Sequence, residues 1–229
     1  ANPKREDIED ALVDTVIETL ERGGTVLIPA FAVGRSQEIM CILEGHELPR
    51  KYPMYIDGMA RGVDEILVKH PEYLQSPQAF QRAVKRTHII RDNRDRTKAV
   101  QKGGVIISPA GMLKGGASHI YFKMLHDDPK NSIVLVSYQI PGTPGAEMLA
   151  TGKVTVRGQL FDVTADIRQH HLSSHSDSKG MMDMLTNIPG DPEFYVVHGE
   201  SESCDALAEK LEKRKCVAHV PEINEKVEI

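Results

Sequence analysis

The chain lacks the cysteine pairs that staple small secreted domains or form zinc knuckles. Its three cysteines, Cys41, Cys204 and Cys216, are scattered and odd in number, a usage that points to reduced structural thiols and a cytoplasmic protein. No apolar run reaches the length of a membrane span, and the amino end is polar and charged, so neither a spanning helix nor a signal peptide is visible. General basicity is missing as well. With a net charge of −5, any nucleic-acid binding has to come from a local patch. Neither nucleotide fingerprint occurs: Phe31-Ala32-Val33-Gly34-Arg35-Ser36 sits where a phosphate loop would, without the Lys-Ser/Thr ending of a P-loop or the triple glycine of a dinucleotide turn. There is no internal repeat and no low-complexity tract. These exclusions leave one large or two smaller globular domains in 229 residues, with ample apolar material for a core.

What is present is an alternation of apolar strands and amphipathic helices. Over 6–22, Ile8, Leu12, Val16, Ile17 and Leu20 recur at helical spacing, and Glu6, Asp7 and Glu9 crowd the first turn, where the helix dipole favours negative charge. The chain opens so directly into this helix that it reads as cut from something longer. Gly23-Gly24 ends the helix; 25–29 reads as a strand, 30–34 as a turn and 35–43 as a helix. The strand pattern returns at 54–57, 105–108 and 133–138, with helices over 63–70 and 118–125. A polar region runs from 71 to 104, and 139–145 is a loop whose prolines and glycines exclude regular structure. Four strands alternating with helices predict a parallel, helix-flanked sheet, the α/β class. Residues 151–156 and 159–169, around a turn at Arg157-Gly158, predict a hairpin or two edge strands. Helices over 179–187 and 201–213 and strands over 193–197 and 217–220 complete the chain.

Two histidines sit at boundaries between a strand and a helix, where α/β proteins collect their chemistry. His175 precedes Ser176 and Asp177, good N-cap residues. A helix N-terminus favours an anion such as phosphate, and a histidine there can give a proton to a leaving oxygen near neutral pH. The plainer reading is a capping segment with an exposed imidazole. His198 closes the 193–197 strand and should project toward the same crevice, which suits a metal ligand as well as a satisfied rim histidine. A local metal cluster of His170, His171, His175 and Asp177 is the weaker option, because Leu172-Ser173-Ser174 does not continue a helix. Arg35 and Gln37 could hold a substrate phosphate or brace their loop, and bracing is the favoured of the two. Between residues 81 and 104 lie Arg82, Lys85, Arg86, Arg91, Arg94, Arg96, Lys98 and Lys102 against Asp92 and Asp95. Such a stretch is either a phosphodiester-binding field or a solvated helix face balanced by acidic neighbours.

These pieces resemble the β-CASP branch of the metallo-β-lactamase superfamily, nucleases such as the cleavage and polyadenylation specificity factor nuclease and RNase J, and within it the archaeal and bacterial members of the former type. The matching stretches are 27–38, Tyr55-Ile56-Asp57-Gly58-Met59-Ala60, Ser108-Pro109-Ala110-Gly111-Met112-Leu113, 173–177 and Val197-His198-Gly199-Glu200, in the family's order. The resemblance implies a Rossmann-like parallel-sheet β-CASP domain over 1–170 and the carboxy-terminal part of a metallo-β-lactamase αββα domain over 171–229. It places His175 beside the scissile phosphate, as general acid or its support, and makes His198 a ligand to one of two zinc ions. Arg35, Ser108 and Gly111 would line a cleft facing single-stranded RNA, with Gln37 and Asp177 as further substrate-binding candidates.

The pattern also departs from the family. The His-x-His-x-Asp-His run that builds most of the zinc site is absent, as is the acidic motif expected before the first helix. Two-metal hydrolases use their metals to generate hydroxide and clamp the phosphate. The expectation is therefore the RNA-binding, partial active-site portion of a zinc-dependent ribonuclease, inactive alone and completed by an amino-terminal metallo-β-lactamase portion, with a homodimer as an option and no membrane partner. The alternative is a non-catalytic β-CASP RNA-binding or scaffold subunit, against which the presence of both His175 and His198 argues. A nucleotide-binding Rossmann module is a third reading, without any phosphate fingerprint to support it.

Overall fold

The computed structural model describes residues 3–173 and 176–226. The chain divides into two compact units, one of Lys4–Leu172 and one of Ser173–Ile229 with Ala1–Pro3. The larger unit runs α1 (Arg5–Glu21), β1 (Thr25–Pro29), α2 (Arg35–Gly45), β2 (Met54–Ile56), α3 (Ala60–Lys69), α4 (Pro77–Arg86), β3 (Thr87–Ile89), α5 (Asn93–Lys102), β4 (Gly104–Ser108), α6 (Ser118–Leu125), β5 (Ser132–Leu135), α7 (Pro144–Thr151), β6 (Lys153–Val156), β7 (Gln159–Asp162) and β8 (Asp166–Gln169). Six of these strands form a sheet in the order β3-β2-β4-β1-β5-β8, with every pairing parallel. The α/β class expected from the strand-helix alternation is the class observed.

Parallel sheets need cover on both faces, and their central strands are accordingly apolar throughout. Every residue of β1, β2, β4 and β5 is buried. Alternate residues of one strand serve opposite faces. Val26 and Ile28 join Leu12, Val16, Ile39, Met40 and Leu43 from α1 and α2; Leu27 joins Ala99, Tyr121, Phe122 and Leu125 from α5 and α6. The helical periodicity of α1 is thus the imprint of one sheet face.

Three expectations need correction. The polar region 71–104 holds α4, β3 and α5. Their apolar signal is thin because α4 buries only Phe80 and Ala83, α5 only Ala99, and β3 is an edge strand with His88 and Ile89 exposed. Residues 159–169 are two strands with different partners. β7 pairs with β6 in an antiparallel hairpin, whereas β8 joins the main sheet beside β5, the chain being turned between them by Thr164 and Ala165, whose N–H groups both donate to the His126 carbonyl at 2.8 and 3.0 Å. Finally, regular structure resumes inside 139–145, since α7 starts at Pro144. Proline at a helix start sacrifices no hydrogen bond, and the Thr143 hydroxyl caps the turn by accepting the Ala146 N–H at 3.3 Å. Directly after β8, the His170 N–H donates to the Leu135 carbonyl at 2.8 Å and its Nε2 meets Thr15 Oγ1 at 2.9 Å.

The smaller unit contains α8 (Ser178–Thr186), β9 (Glu193–Tyr195), α9 (Ser201–Glu212) and β10 (Val217–His219). The strands pair in parallel, Cys204, Ala208 and Leu211 of α9 are buried, and Tyr195 stacks on His219 with centroids 5.0 Å apart. Among the described residues no helix is long and apolar enough to cross a membrane.

Two glycines test the packing in opposite directions. A β-carbon at Gly24 would collide with the Lys130 carbonyl, whereas one at Gly62, inside α3, meets nothing within 4 Å. Gly24→Ala is expected to lower the unfolding free energy by about 3 kcal/mol through overpacking, and Gly62→Ala to raise it by about 0.5–1 kcal/mol, both read from urea denaturation.

Candidate functional site

β1 and β4 are neighbours, yet the helices that follow them leave for opposite faces, α2 to one core layer and α6 to the other. This is the topological switch point of the sheet, where open α/β folds form a crevice beyond the strand ends. Pro29 stands opposite Ser108, and the Ala30 N–H donates to the Ser108 carbonyl at 3.0 Å. Ser108 is completely buried, its hydroxyl donating to the Pro109 carbonyl at 3.3 Å. Gly111 lies where a β-carbon would press on Ala30 at 3.3 Å and on the Phe31 nitrogen at 3.4 Å, so the loops after β1 and β4 meet backbone to backbone. Around these strand ends Phe31, Val33, Met59 and Tyr138 are exposed.

The start of α2 is held from within. Gln37, 5% exposed, accepts the Gly34 N–H through Oε1 at 2.8 Å and donates through Nε2 to Asp64 Oδ1 at 2.7 Å. Both ends of its amide are engaged, which ties the Gly34 turn to α3. Arg35 pairs with Glu38, which also takes the Arg5 guanidinium, and Ser36 Oγ donates to the Phe31 carbonyl at 2.7 Å. The Asp64 carboxyl is pushed up to about 6, chiefly by burial, against the pull of its hydrogen bond from Gln37 and with a small push from Glu65.

At the neighbouring strand end lies a constellation to which the sequence reading assigned no role. Asp57 is wholly buried. Its carboxylate accepts from Arg96 Nε at 2.7 Å and Nη2 at 3.2 Å, from the Tyr121 hydroxyl at 2.9 Å and from the Gly58 N–H at 2.5 Å. Burial, and then the adjacent carboxylate, raise the Tyr121 phenol far above its ordinary range, so it keeps its proton and donates it to Asp57. Arg61 completes the loop, donating to the carbonyls of Gly58 at 3.0 Å and Ile90 at 2.6 Å. The available signal was an aspartate and a glycine directly after an apolar strand, with an arginine otherwise counted as part of a basic surface.

In the smaller unit Asp177 caps α8, its carboxylate accepting the Gly180 N–H at 2.8 Å. His175 lies outside the described residues. His198 is exposed, a few residues past β9, with a left-handed φ of 65°, which costs a non-glycine residue about 1 kcal/mol and marks a conformation imposed by its surroundings. Gly199 follows where a β-carbon would come within 2.8 Å of Cys204 Sγ. Among the described residues no group of three or more histidine, cysteine, aspartate or glutamate side chains is placed to hold a metal ion. Arg35, Gln37, Ser108 and Gly111 therefore come together around the switch point of the larger unit, and Asp177 and His198 belong to the smaller one.

Comparison with known proteins gives two family matches, a Beta-Casp domain over residues 36–148 and a Zn-dependent metallo-hydrolase RNA specificity domain over residues 161–221. Among curated proteins, RNase aCSPSF2 of Saccharolobus solfataricus is 35% identical over 93% of this chain and 42% of its own length. Probable RNase MJ4 of Methanocaldococcus jannaschii is 30% identical over 100% of the chain and 54% of its own length. Transcription termination factor FttA of Thermococcus kodakarensis is 35% identical over 92% of the chain and 36% of its own length. The chain spans about half or less of the length of these relatives.

Removing one partner of a buried ion pair strands the other, so Asp57→Ala is expected to cost about 3 kcal/mol in urea unfolding, against less than about 0.5 kcal/mol for Arg94→Ala on the exposed side of α5. Asp64 gives a pH signature. Its folded pKa lies above the unfolded value, so its contribution to stability is fully present below pH about 4 and is lost as pH rises through about 6. Asp64→Asn should flatten stability across that window and leave the variant more stable than the native chain at pH 7 by roughly 2 kcal/mol, as read from urea midpoints at each pH.

Proposed function

The chain belongs to the β-CASP family of the metallo-β-lactamase superfamily, and from that membership we propose that it is the RNA-facing, partial active-site portion of a zinc-dependent ribonuclease that hydrolyses single-stranded RNA. The observation that carries the reading is the succession, in one chain, of a Beta-Casp match and a Zn-dependent metallo-hydrolase RNA specificity match; relatives named as RNases support it. In this reading residues 1–170 form the β-CASP domain and 171–229 the return segment of the metallo-β-lactamase domain.

His175 is proposed to pass a proton to the leaving 3′ oxygen, the task for which an imidazole is suited near neutral pH. Ser108 and Gly111 shape the RNA-facing crevice, and Arg35 presents to it a charge already shared with Glu38. Gln37 and Asp177 act by holding the turns at Gly34 and at the start of α8. In this family reading zinc supplies activated water. His198 is proposed as one zinc ligand; among the described residues it has no group of companions able to hold a metal ion with it, and the remaining ligands are proposed to lie outside this chain. All three cysteines are free, which supports a reducing, cytoplasmic setting.

The isolated chain is expected to release no product from single-stranded RNA with added zinc, whereas the full gene product cleaves it, EDTA abolishes the cleavage, and His175→Ala lowers kcat about 10²- to 10⁴-fold. Zinc-dependent cleavage by the isolated chain would refute the assignment of ligands beyond it. A full product that binds RNA and cleaves none with any divalent metal would favour a scaffold subunit.

A further inference from the structure

Of the eight basic residues between 82 and 102, Lys85 and Arg94 stand exposed and away from the cavity described below, and the other six divide by their partners. Arg82 and Arg86 turn onto the buried carboxylate of Glu44, at 3.8 and 2.8 Å, and Arg96 onto Asp57 at 2.7 Å. The charges of Arg86 and Arg96 are spent within the fold, and that of Arg82, more than half exposed, is partly offset by the same Glu44. Arg91, Lys98 and Lys102 form no ion pair among the described residues, and all three line one cavity of about 250 Å³ between β3 and α5. Asp95, Lys98, Ala99 and Lys102 recur at i, i+3, i+4 and i+7, so a single face of α5 supplies that wall. Asp95 is the one carboxylate on it, and it is committed to the loop, accepting the Arg91 N–H at 3.0 Å. The other wall carries rings. Tyr55 of β2, nearly buried, lies against the exposed His88 of β3 with centroids 5.5 Å apart and planes inclined at 36°.

We propose that this cavity is a nucleotide subsite, taking one nucleotide of a single-stranded RNA with its phosphate on Arg91, Lys98 and Lys102 and its base against the exposed His88 ring, which Tyr55 backs. Cations beside a ring surface are the arrangement that single-stranded nucleic acid uses, because the chain alternates charge with a flat π-face. An acidic peptide would need the cations and leave the rings without purpose. The volume suits one nucleotide better than a larger ligand. The subsite rests on the RNA reading above for its ligand and not on the cleavage reading. It lies between β3 and α5, whereas the switch-point crevice opens beyond β1 and β4, so it is a hold on RNA separate from that crevice. Since every base offers a face, it should discriminate little among sequences.

Fluorescence anisotropy of a labelled single-stranded oligoribonucleotide, titrated with the purified chain in EDTA at several salt concentrations, tests this. The double variant Lys98→Gln/Lys102→Gln should bind about tenfold more weakly near 0.1 M salt and reduce the slope of log affinity against log salt by about 1.4; each single variant should give about half that slope change. His88→Ala should weaken binding about fivefold with the slope unchanged, and Arg82→Ala should alter neither. Uridine monophosphate should displace the RNA at lower concentration than inorganic phosphate. Native affinity in the lysine variants, equal displacement by inorganic phosphate, or equal displacement by polyglutamate would each overturn the assignment. The two readings fail separately: absence of cleavage by the full product leaves this subsite standing, and unchanged binding by the lysine variants removes it alone.

Discussion

A carboxylate with no exposed surface is the constraint on which the larger unit turns. Asp57 has lost its water entirely, and an ionisable group in that position is tolerated only when donors replace the lost hydration. Four do so, and they come from three places: the Gly58 amide at the end of β2, Tyr121 on α6, and two nitrogens of Arg96 on α5. None of these can move far without stranding the charge. β2, α5 and α6 are thereby held in one register, and the loop that follows β2 inherits that rigidity. Apolar burial alone would allow α5 to slide, since Ala99 is its only buried residue; the ion pair is what sets its position.

The same logic, with neutral groups, governs the neighbouring strand end. Gln37 replaces hydration for the Gly34 amide and for the Asp64 carboxyl at once, and Gly111 lets the β4 loop touch the backbone of the β1 loop. Loops fixed through backbone and buried side chains leave their exposed residues, Phe31, Val33, Met59 and Tyr138, unused by the unit's own core. Rigid loops at a switch point are what a site needs in order to hold a reacting strand in place.

Much of this was legible in the sequence, and the limits have physical causes. Apolar central strands and a helix with a clear stripe leave a strong mark, so β1, β4 and α1 were located within a residue or so and the α/β class followed. Elements stabilised by few apolar residues leave none: α4 and α5 bury one or two side chains each, and β3 spans three residues. At 159–169 the pattern identified strands but not their partners, because alternation records which face is buried and is silent about which edge is paired. Of the site, the glycines and the turn residues could be read as special, while Asp57 could not be told from a surface aspartate. Burial is a property of the assembled sheet. Nor could the purpose of Gln37 be read, since its two partners, Gly34 and Asp64, are 3 and 27 positions away.

The basic stretch shows why counting charges is a poor guide to binding. Residues two apart on a helix face opposite sides, so Arg96 can enter the core while Lys98 and Lys102 line an open cavity. Reversing Arg96 would break the Asp57 constellation and unfold the surface around it, and a binding assay alone would not separate that from a lost phosphate contact. Reversing Arg82 would likewise act on the buried Glu44. Only after these internal partners are subtracted does a field remain that is local, open to solvent and next to an aromatic pair, within a chain whose overall charge is negative. For the proposed subsite such a field would attract phosphodiesters at short range while the remaining surface would repel them, so association would depend on where a strand first touches the protein as well as on how much positive charge it meets.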